Sequence, residues 1–359
     1  MLKRIDKVLS LVKRKMAMYR HHIGFFLVDR ETVSKVGHLP RLTSAEKSMI
    51  KETWKGLPIS NLDYTWSRIW KREHGFSPYM VGTMWTWSIL EKTNPYDQLV
   101  SLQNKALCDL YLPEIPFPQV YVRGIDGVYY SQNMEQLSLE EVLNLLVQKE
   151  GFIIKPSIDT LCGHGVLKIV KSGKGEREYL QTIKQAILQS GDNFIAQEIL
   201  TQHKDIARLN STSINSCRVT TIYLGGKTAY SVSLKVGKKG SYKDNWNSSY
   251  FVGIDKQGRG MQYGYDFFLK RVEQTDNGIP FREIQLPMFR EMVSAAMSWH
   301  KKFLPQCGIV GWDVFVDEEN HIKVIETNLT CPGIVAEQLS SGLFLQPFVK
   351  EICEKLQNK

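Results

Sequence analysis

Apolar residues follow one period before about residue 98 and a different one after it. In the first stretch they recur at helical spacing, tryptophan is frequent, and turn signals such as Asn94-Pro95 separate the helical segments. In the second stretch short apolar runs alternate with amphipathic segments, which is typical of layered sheets and helices. The pattern predicts a mostly helical N-terminal region, residues 1–98, followed by an α+β body.

The body contains a regular series of predicted elements. Ser138 and Glu141 form a capping box that opens an amphipathic helix, and Gly151 follows that helix. One hairpin is predicted across Gly225-Gly226 and another across residues 317–320. The other predicted helices are 101–111, 176–189 and 286–303, and the predicted strands are 119–122, 152–155, 166–170, 194–200, 217–224, 228–235, 309–316 and 321–327. We divide the body into residues 99–150, 151–212 and 213–359, the last with an antiparallel sheet.

The last predicted hairpin carries the most specific chemical pattern. A symmetric turn would place Asp313 opposite Val324. Because side chains alternate along a strand, Glu326 and Asn328 would share one face with Asp313, although a slip of one residue would separate them. Two carboxylates and an amide oxygen are ligands that magnesium accepts. The hairpin therefore predicts a magnesium site, and the alternative is a polar face that meets only solvent.

Two earlier segments are typical of a nucleotide site. Lys155 ends an apolar strand, where it can hold a fixed cation, and the loop Gly163-His164-Gly165 can bring backbone N–H groups close to phosphates. The run Gln197-Glu198-Ile199-Leu200 suits the edge of an adenine pocket, and Asp205 could accept hydrogen bonds from a ribose. Taken one at a time, each of these segments also fits an ordinary strand or turn.

Charge and cysteine content narrow the class of protein. The chain has 46 Lys and Arg against 37 Asp and Glu, a net charge of +9, and residues 1–20 alone carry +6. Those residues predict a basic amphipathic helix, which would lie on anionic lipid, contact an acidic partner or dock as an ordinary surface helix. The basic excess is not spread along the chain with aromatic residues, which argues against nucleic-acid binding. No apolar run is long enough to cross a bilayer and the six cysteines lack metal-ligand spacing, so we expect a cytoplasmic protein with reduced thiols.

Taken in order along the chain, these segments resemble the ATP-grasp superfamily. Within it, the chain is most similar to the sugar-transfer-associated ATP-grasp family, through Asn215-Ser-Cys-Arg-Val219 and the segment 236–245. The resemblance implies an ATP-grasp fold, in which two α+β subdomains hold ATP between them, here with a helical N-terminal region. The residues that it assigns to ATP are Lys105, Lys155, Gly163, His164, Gly165, Gln197, Glu198, Ile199, Leu200 and Asp205, and those that it assigns to the metal are Asp313, Glu326 and Asn328.

The resemblance also implies a reaction. An ATP- and magnesium-dependent ligase of this type activates a carboxylate as an acyl phosphate and couples it to an amine, here on a sugar or glycan precursor of polysaccharide biosynthesis. Lys155, Lys105 and Arg218 would neutralise charge during phosphoryl transfer. The candidates for contacts with the acceptor are Lys235, Lys239, Asp244 and Asn245. Two alternatives stay open: a kinase that acts on a hydroxyl, and a non-catalytic nucleotide-binding scaffold docked on a membrane-bound glycosyltransferase complex through the basic N-terminus.

Overall fold

The computed structural model describes residues 27, 30–57, 59–158, 165–173, 175–241 and 248–357. The predicted basic N-terminal helix lies outside these ranges, as do Gly163, His164, Asp244 and Asn245 of the predicted site. Within the described ranges, no helix is both long enough and apolar enough to span a bilayer.

The N-terminal region is helical, as predicted. Its helices include α1 (Ser44–Thr53), α2 (Asn61–His74), α3 (Thr83–Thr93) and α4 (Tyr96–Leu99). Thr43 and Ser60 begin α1 and α2 with capping boxes, which satisfy the free N–H groups of the first helical turn. Trp54 and Trp85 are fully buried and belong to one apolar cluster with Ile309 of the body. The N-terminal region therefore shares a hydrophobic core with the rest of the chain.

The N-terminal sheet draws strands from both predicted segments, 99–150 and 151–212. Its strands are β1 (Val120–Ile125), β2 (Val128–Ser131), β3 (Gln136–Leu137), β4 (Gly151–Pro156), β5 (Leu167–Val170) and β6 (Phe194–Gln197). Among the described residues they pair antiparallel in the order β3-β2-β1-β6-β4-β5. Helices α5 (Cys108–Tyr111), α6 (Leu139–Val147) and α7 (Glu176–Ser190) belong to the same part of the chain. The apolar faces of α6 and α7, with Val142 and Ile183, pack on Phe152 and Ile154 of β4.

The C-terminal sheet supplies the predicted metal hairpin. After α8 (Lys204–Ala207), its strands are β7 (Cys217–Leu224), β8 (Lys227–Gly237), β9 (Ser249–Ile254), β10 (Gly260–Tyr265), β11 (Arg271–Val272), β12 (Ile309–Val316) and β13 (Ile322–Asn328). In the described part of the chain their order is β11-β10-β9-β8-β7-β12-β13. Helix α9 (Phe289–Phe303) covers the apolar face with Trp312 and Val314. Helices α10 (Ile334–Ser341) and α11 (Val349–Gln357) follow β13.

Two predicted elements are wrong. The helix predicted over 101–111 is instead a single 3-10 turn, Ser101–Gln103, an extended residue and the one-turn helix α5. Asn104 is the cause, because its side chain accepts a hydrogen bond from the N–H of Ala106 at 3.0 Å and competes with helical pairing. The strand predicted over 194–200 ends at Gln197. The hairpin across Gly225-Gly226 is confirmed.

The register of the last hairpin also differs from the prediction. Val316 pairs with Ile322, so the loop has five residues instead of four, and a β-bulge then leaves Ile325 without a partner. Asp313 consequently lies opposite Glu326 and not opposite Val324. The longer loop and the bulge each shift the register by one residue, so together they shift it by two. Because side chains alternate every second residue, Asp313 still lies on the same face as Glu326 and Asn328. The predicted convergence of Asp313, Glu326 and Asn328 on one face is retained for this reason.

Candidate active site

A cleft opens where the two sheets face each other. It encloses about 370 Å³ of space between atoms, including open solvent, of which a water-sized sphere can reach about 20 Å³. Both sheets and the segment that precedes β1 contribute to it. The lining residues are Gln103, Lys105, Cys108, Asp109, Phe117, Pro118, Val120, Lys155, Ile195, Gln197, Ile325, Glu326 and Thr327. The structure thus brings Lys105, Lys155, Gln197 and Glu326, all predicted from sequence, to one place.

Asp313 is held by two cations on the polar face of the C-terminal sheet. Arg218, opposite it on β7, donates from Nε to Oδ1 at 2.6 Å and from Nη2 to Oδ2 at 3.2 Å. Lys235 Nζ lies 3.3 Å from Asp313 Oδ2, and Asn328 Nδ2 is 3.5 Å from the same oxygen. Burial alone would raise the pKa of Asp313, but Arg218 and Lys235 outweigh it and hold the pKa well below its ordinary value. Asp313 is therefore an ionised acceptor at neutral pH.

Glu326 faces the lysines of the cleft. Its Oε1 lies 3.0 Å from Lys105 Nζ. Lys155 is the next-to-last residue of β4 and is only 8% exposed. Burial lowers the pKa of Lys155 to about 8; Glu326 opposes that shift and Lys105 adds to it. The cleft therefore holds a lysine whose pKa of about 8 leaves it mainly protonated at neutral pH and mainly neutral in more basic solution.

Arg123 fixes the segment that carries Lys105. The guanidinium of Arg123 is fully buried, and it binds both carboxylate oxygens of Asp109, at 2.8 and 2.6 Å. It also donates to the carbonyl of Ala106 at 2.6 Å, next to Lys105. The Lys105 N–H donates in turn to the carbonyl of Ser157 at 3.0 Å, just beyond β4. Sequence reasoning missed Arg123, because its partners lie outside any local pattern.

The predicted adenine run connects the two sheets. Gln197 is buried and ends β6, whereas Glu198 forms an ion pair of 3.2 Å with Lys323 on β13. The N–H and carboxylate of Glu198 also hydrogen-bond the backbone of Gln119, both at 2.9 Å. Ile199 and Leu200 are half-buried just beyond β6. The hinge role of this run stays a prediction.

The remaining predicted residues lie in several places. Gly165 has a positive φ of +76°, and an added Cβ would approach Pro156 Cγ to 2.8 Å, so the backbone there requires glycine. Asp205 is exposed on α8 and does not line the cleft. Lys239 is exposed, and its N–H donates to Asp276 at 2.7 Å. The ribose and acceptor roles of Asp205 and Lys239 stay predictions.

A buried acid lies behind Arg218 and was missed from sequence. Arg218 Nη1 donates to the carbonyl of Pro332, just before α10. On α10, Glu337 is 3% exposed and accepts a hydrogen bond of 2.5 Å from the Thr220 hydroxyl. Burial raises the pKa of Glu337 to about 7, against the lowering effects of Thr220 and Arg218. The bonds of Arg218 to Asp313 and to the carbonyl of Pro332 hold the guanidinium in one orientation. They use three of its five N–H groups and leave two for other partners.

The chemistry of this face fits magnesium. Among the described residues no cluster of three His, Cys, Asp or Glu side chains could hold a metal. Magnesium commonly binds through only one or two carboxylates and keeps several of its waters. Two carboxylates and an amide oxygen are enough protein ligands for such a site. Asp313 Oδ1 accepts from Arg218 Nε and retains a lone pair, whereas Oδ2 already faces Arg218, Lys235 and Asn328. The assignment of Asp313, Glu326 and Asn328 as the ligands that would hold the ion stays a prediction.

A comparison with protein families identifies the class of protein. A model of the sugar-transfer associated ATP-grasp family matches residues 87–354, well over half of the chain. The chain belongs to the sugar-transfer-associated ATP-grasp family, as the sequence predicts. None of the curated proteins matches it.

The solved structures to which the chain shows a distant similarity include several ligases. D-alanyl-alanine synthetase A from Vibrio cholerae is 12% identical with a TM-score of 0.42, over 71% of this chain and 64% of that one. L-amino acid ligase from Bacillus licheniformis is 12% identical with a TM-score of 0.36, over 70% of this chain and 48% of that one. The biotin carboxylase domain of Hydrogenobacter thermophilus 2-oxoglutarate carboxylase, in complex with MgADP, is 12% identical with a TM-score of 0.42, over 70% of this chain and 47% of that one. The chain spans less than two thirds of the length of these proteins.

Proposed function

We propose that the protein is an ATP- and magnesium-dependent ligase that joins a carboxylic acid to an amine. The observation that carries the proposal is the meeting of two cleft lysines, Lys105 and Lys155, with Glu326 and the neighbouring Asp313 between the two sheets. Cations at that place suit the phosphates of a nucleotide, and the carboxylates suit the metal that accompanies it. From the family we further propose that the acid or the amine belongs to a sugar or glycan precursor of polysaccharide biosynthesis.

The proposed reaction has two steps. A carboxylate oxygen attacks the γ-phosphorus of ATP, the bond to the β-phosphate oxygen breaks, and ADP leaves. The amine nitrogen then attacks the acyl carbon, loses a proton to solvent, and expels phosphate with one of the original carboxylate oxygens. Magnesium supplies charge neutralisation at the phosphates when bound. The second step needs an acid and an amine together, so neither alone should support sustained turnover.

The protein contributes position and charge. Lys105 and Lys155 are fixed by Glu326 and by burial at the cleft, where they would bind phosphate oxygens. Arg218 is held by Asp313 and Pro332, so that its remaining N–H groups would bind the acyl phosphate oxygens. Lys235, the second cation on Asp313, would contact the acid substrate. Fixed groups of this kind need little reorganisation during the reaction, which is the main source of rate enhancement in phosphoryl transfer.

Isotope transfer tests the proposed chemistry directly. Purified protein is incubated with magnesium, ATP and pairs of acids and amines, with uronic acids of sugars and glycans as the first acids tried. The acid that supports turnover is then prepared with heavy oxygen in its carboxylate. The ligase predicts one heavy oxygen atom in each released phosphate. A stable phosphorylated product without released phosphate would instead support a kinase, and unlabelled phosphate would mean plain ATP hydrolysis.

Matched variants test the assignment of residues. Glu326→Gln should lower turnover on the order of 10² to 10³-fold, because it removes a charge that acts in the transition state. The control is Glu319→Gln in the turn of the same hairpin, where the side chain is 75% exposed. Lys155→Ala should have a similar effect, with Lys168→Ala on the exposed side of β5 as its control. Near-normal turnover of folded Glu326→Gln and Lys155→Ala would remove both residues from the site.

A further inference from the structure

Asn94 joins the N-terminal region to both strands of the metal hairpin. The side chain is 3% exposed and lies just beyond α3. Its Nδ2 donates to the carbonyls of Ile309 and Leu329, each at 2.7 Å. Its Oδ1 accepts from the N–H groups of Gly308 and Ile309, each at 3.1 Å. The reversed amide would set its oxygen against two carbonyls, so the network dictates the orientation.

These backbone groups lie close along the chain to the candidate ligands. Ile309 begins β12, on which Asp313 lies, and Leu329 directly follows Asn328 at the end of β13. Asn94 therefore sets the spacing of the two strands at the end of the hairpin that is opposite its turn. The β-bulge at Ile325 interrupts the ladder between Asp313 and the turn, so pairing on that side alone fixes the register less strongly.

The N-terminal region also contacts α10. This helix begins two residues after Pro332, whose carbonyl accepts a hydrogen bond from Arg218. Gln338 on α10 is fully buried, accepts from the N–H of Val81 at 3.3 Å and donates to its carbonyl at 3.1 Å. His74 Nε2 lies 3.0 Å from the carbonyl of Leu339. Both anchors, Val81 and His74, lie before residue 87, where the family match begins. The N-terminal region thus contacts both sides of the site, through the buried side chains of Asn94 and Gln338 and through the exposed His74.

We propose that the N-terminal helical region positions the residues of the site, and that Asn94 is the positioning residue for the metal-binding hairpin. This rests on the proposed magnesium site. Buried polar networks fix one arrangement when every group is paired, and they fail when one partner is removed. Without Asn94, the carbonyls of Ile309 and Leu329 and the N–H of Ile309 lose this partner, whereas the Gly308 N–H keeps its bond to the Thr93 carbonyl at 2.8 Å. The strands that bear Asp313 and Asn328 can then shift apart. Ligands displaced by a fraction of an ångström bind an octahedral ion less well.

The test compares three variants in magnesium titrations of ATP turnover, at a temperature where circular dichroism shows each to be folded. Asn94→Ala should raise the half-saturating magnesium concentration about tenfold, equivalent to about 1.4 kcal/mol. Asn94→Asp has the same size, but its carboxylate faces the carbonyls of Ile309 and Leu329, so it should be impaired at least as much. Ile187→Ala, in the core against the N-terminal sheet, controls for a general loss of stability and should leave the half-saturation unchanged.

Hydrogen–deuterium exchange of the ligand-free protein separates this proposal from the proposed function. Asn94→Ala should speed exchange of the backbone amides of residues 309–329, and Ile187→Ala should not. Unchanged exchange there, or a wild-type magnesium response in Asn94→Ala or Asn94→Asp, would overturn the positioning role. An equal change in Ile187→Ala would overturn it as well. If wild-type protein shows no magnesium-dependent turnover, the proposed function fails, whereas the exchange result still decides whether Asn94 orders the hairpin.

Discussion

Proton uptake by Lys155 provides a quantitative test of the phosphate site. Lys155 is 8% exposed, and burial lowers its pKa to about 8 despite the nearby carboxylate of Glu326. Bound phosphates would add negative charge and favour the ammonium form. Above about pH 8, ATP binding must therefore be accompanied by uptake of a proton. As pH rises, more of the free protein has a neutral Lys155, and the apparent affinity for ATP falls.

The size of the effect follows from the pKa. A group with a pKa of about 8 is roughly nine-tenths protonated at about pH 7 and roughly one-tenth protonated at about pH 9. If only the ammonium form binds, the apparent Kd for ATP rises about tenfold between these pH values, or about 1.4 kcal/mol. An unshifted lysine, with a pKa of about 10.4, would give almost no change over the same range.

Isothermal titration calorimetry measures both quantities. Titrations in buffers of different ionisation enthalpy give the number of protons taken up, which should approach one per ATP at about pH 9. Lys155→Arg keeps a permanent charge, so the pH dependence should disappear. Lys168→Arg on the exposed side of β5 should retain the wild-type slope. A wild-type Kd that is flat over this range, or an equal slope in Lys155→Arg, would refute the reasoning.

Three further predictions concern stability. Arg123→Met should lower the free energy of unfolding by about 3 kcal/mol in urea titrations, because it breaks a buried pair with Asp109, and should raise the KM for ATP by freeing the Lys105 segment. Burial lowers the pKa of His300 to about 4, so the unfolded chain binds more protons below about pH 6.5. The free energy of unfolding should then fall by roughly 3 kcal/mol as pH drops from about 6.5 to about 4, and a urea series on His300→Gln should lack that component of the decline. Ser138→Ala should cost about 1 kcal/mol in thermal or urea unfolding, and Ser138→Asp should restore the cap.

Local patterns predicted the parts of the fold that local chemistry determines. The capping box of Ser138 and Glu141 opens α6 as expected, since both partners lie within one helical turn. The convergence of Asp313 and Glu326 was predictable because a strand repeats every two residues, so a register wrong by two still gives the correct face. A register wrong by one would have failed.

Contacts between distant residues were not predictable from sequence alone. Asn94 is separated from Ile309 by 215 residues and from Leu329 by 235 residues, and no spacing rule relates them. The pair of Arg123 and Asp109 is short in sequence separation but joins a strand to a segment that the pattern assigned to a longer helix. The side chain of Asn104 interrupts the predicted helix through one hydrogen bond to the N–H of Ala106. The spacing of apolar residues carries no information about such a bond.

The central claim is that one magnesium nucleotide binds between the two sheets. Calorimetric titration of the folded wild-type protein with ATP, with and without magnesium, tests it most directly. We predict saturable binding of one ATP per chain in the presence of magnesium and much weaker binding when the metal is chelated. A folded sample that binds no ATP with magnesium present would contradict the account.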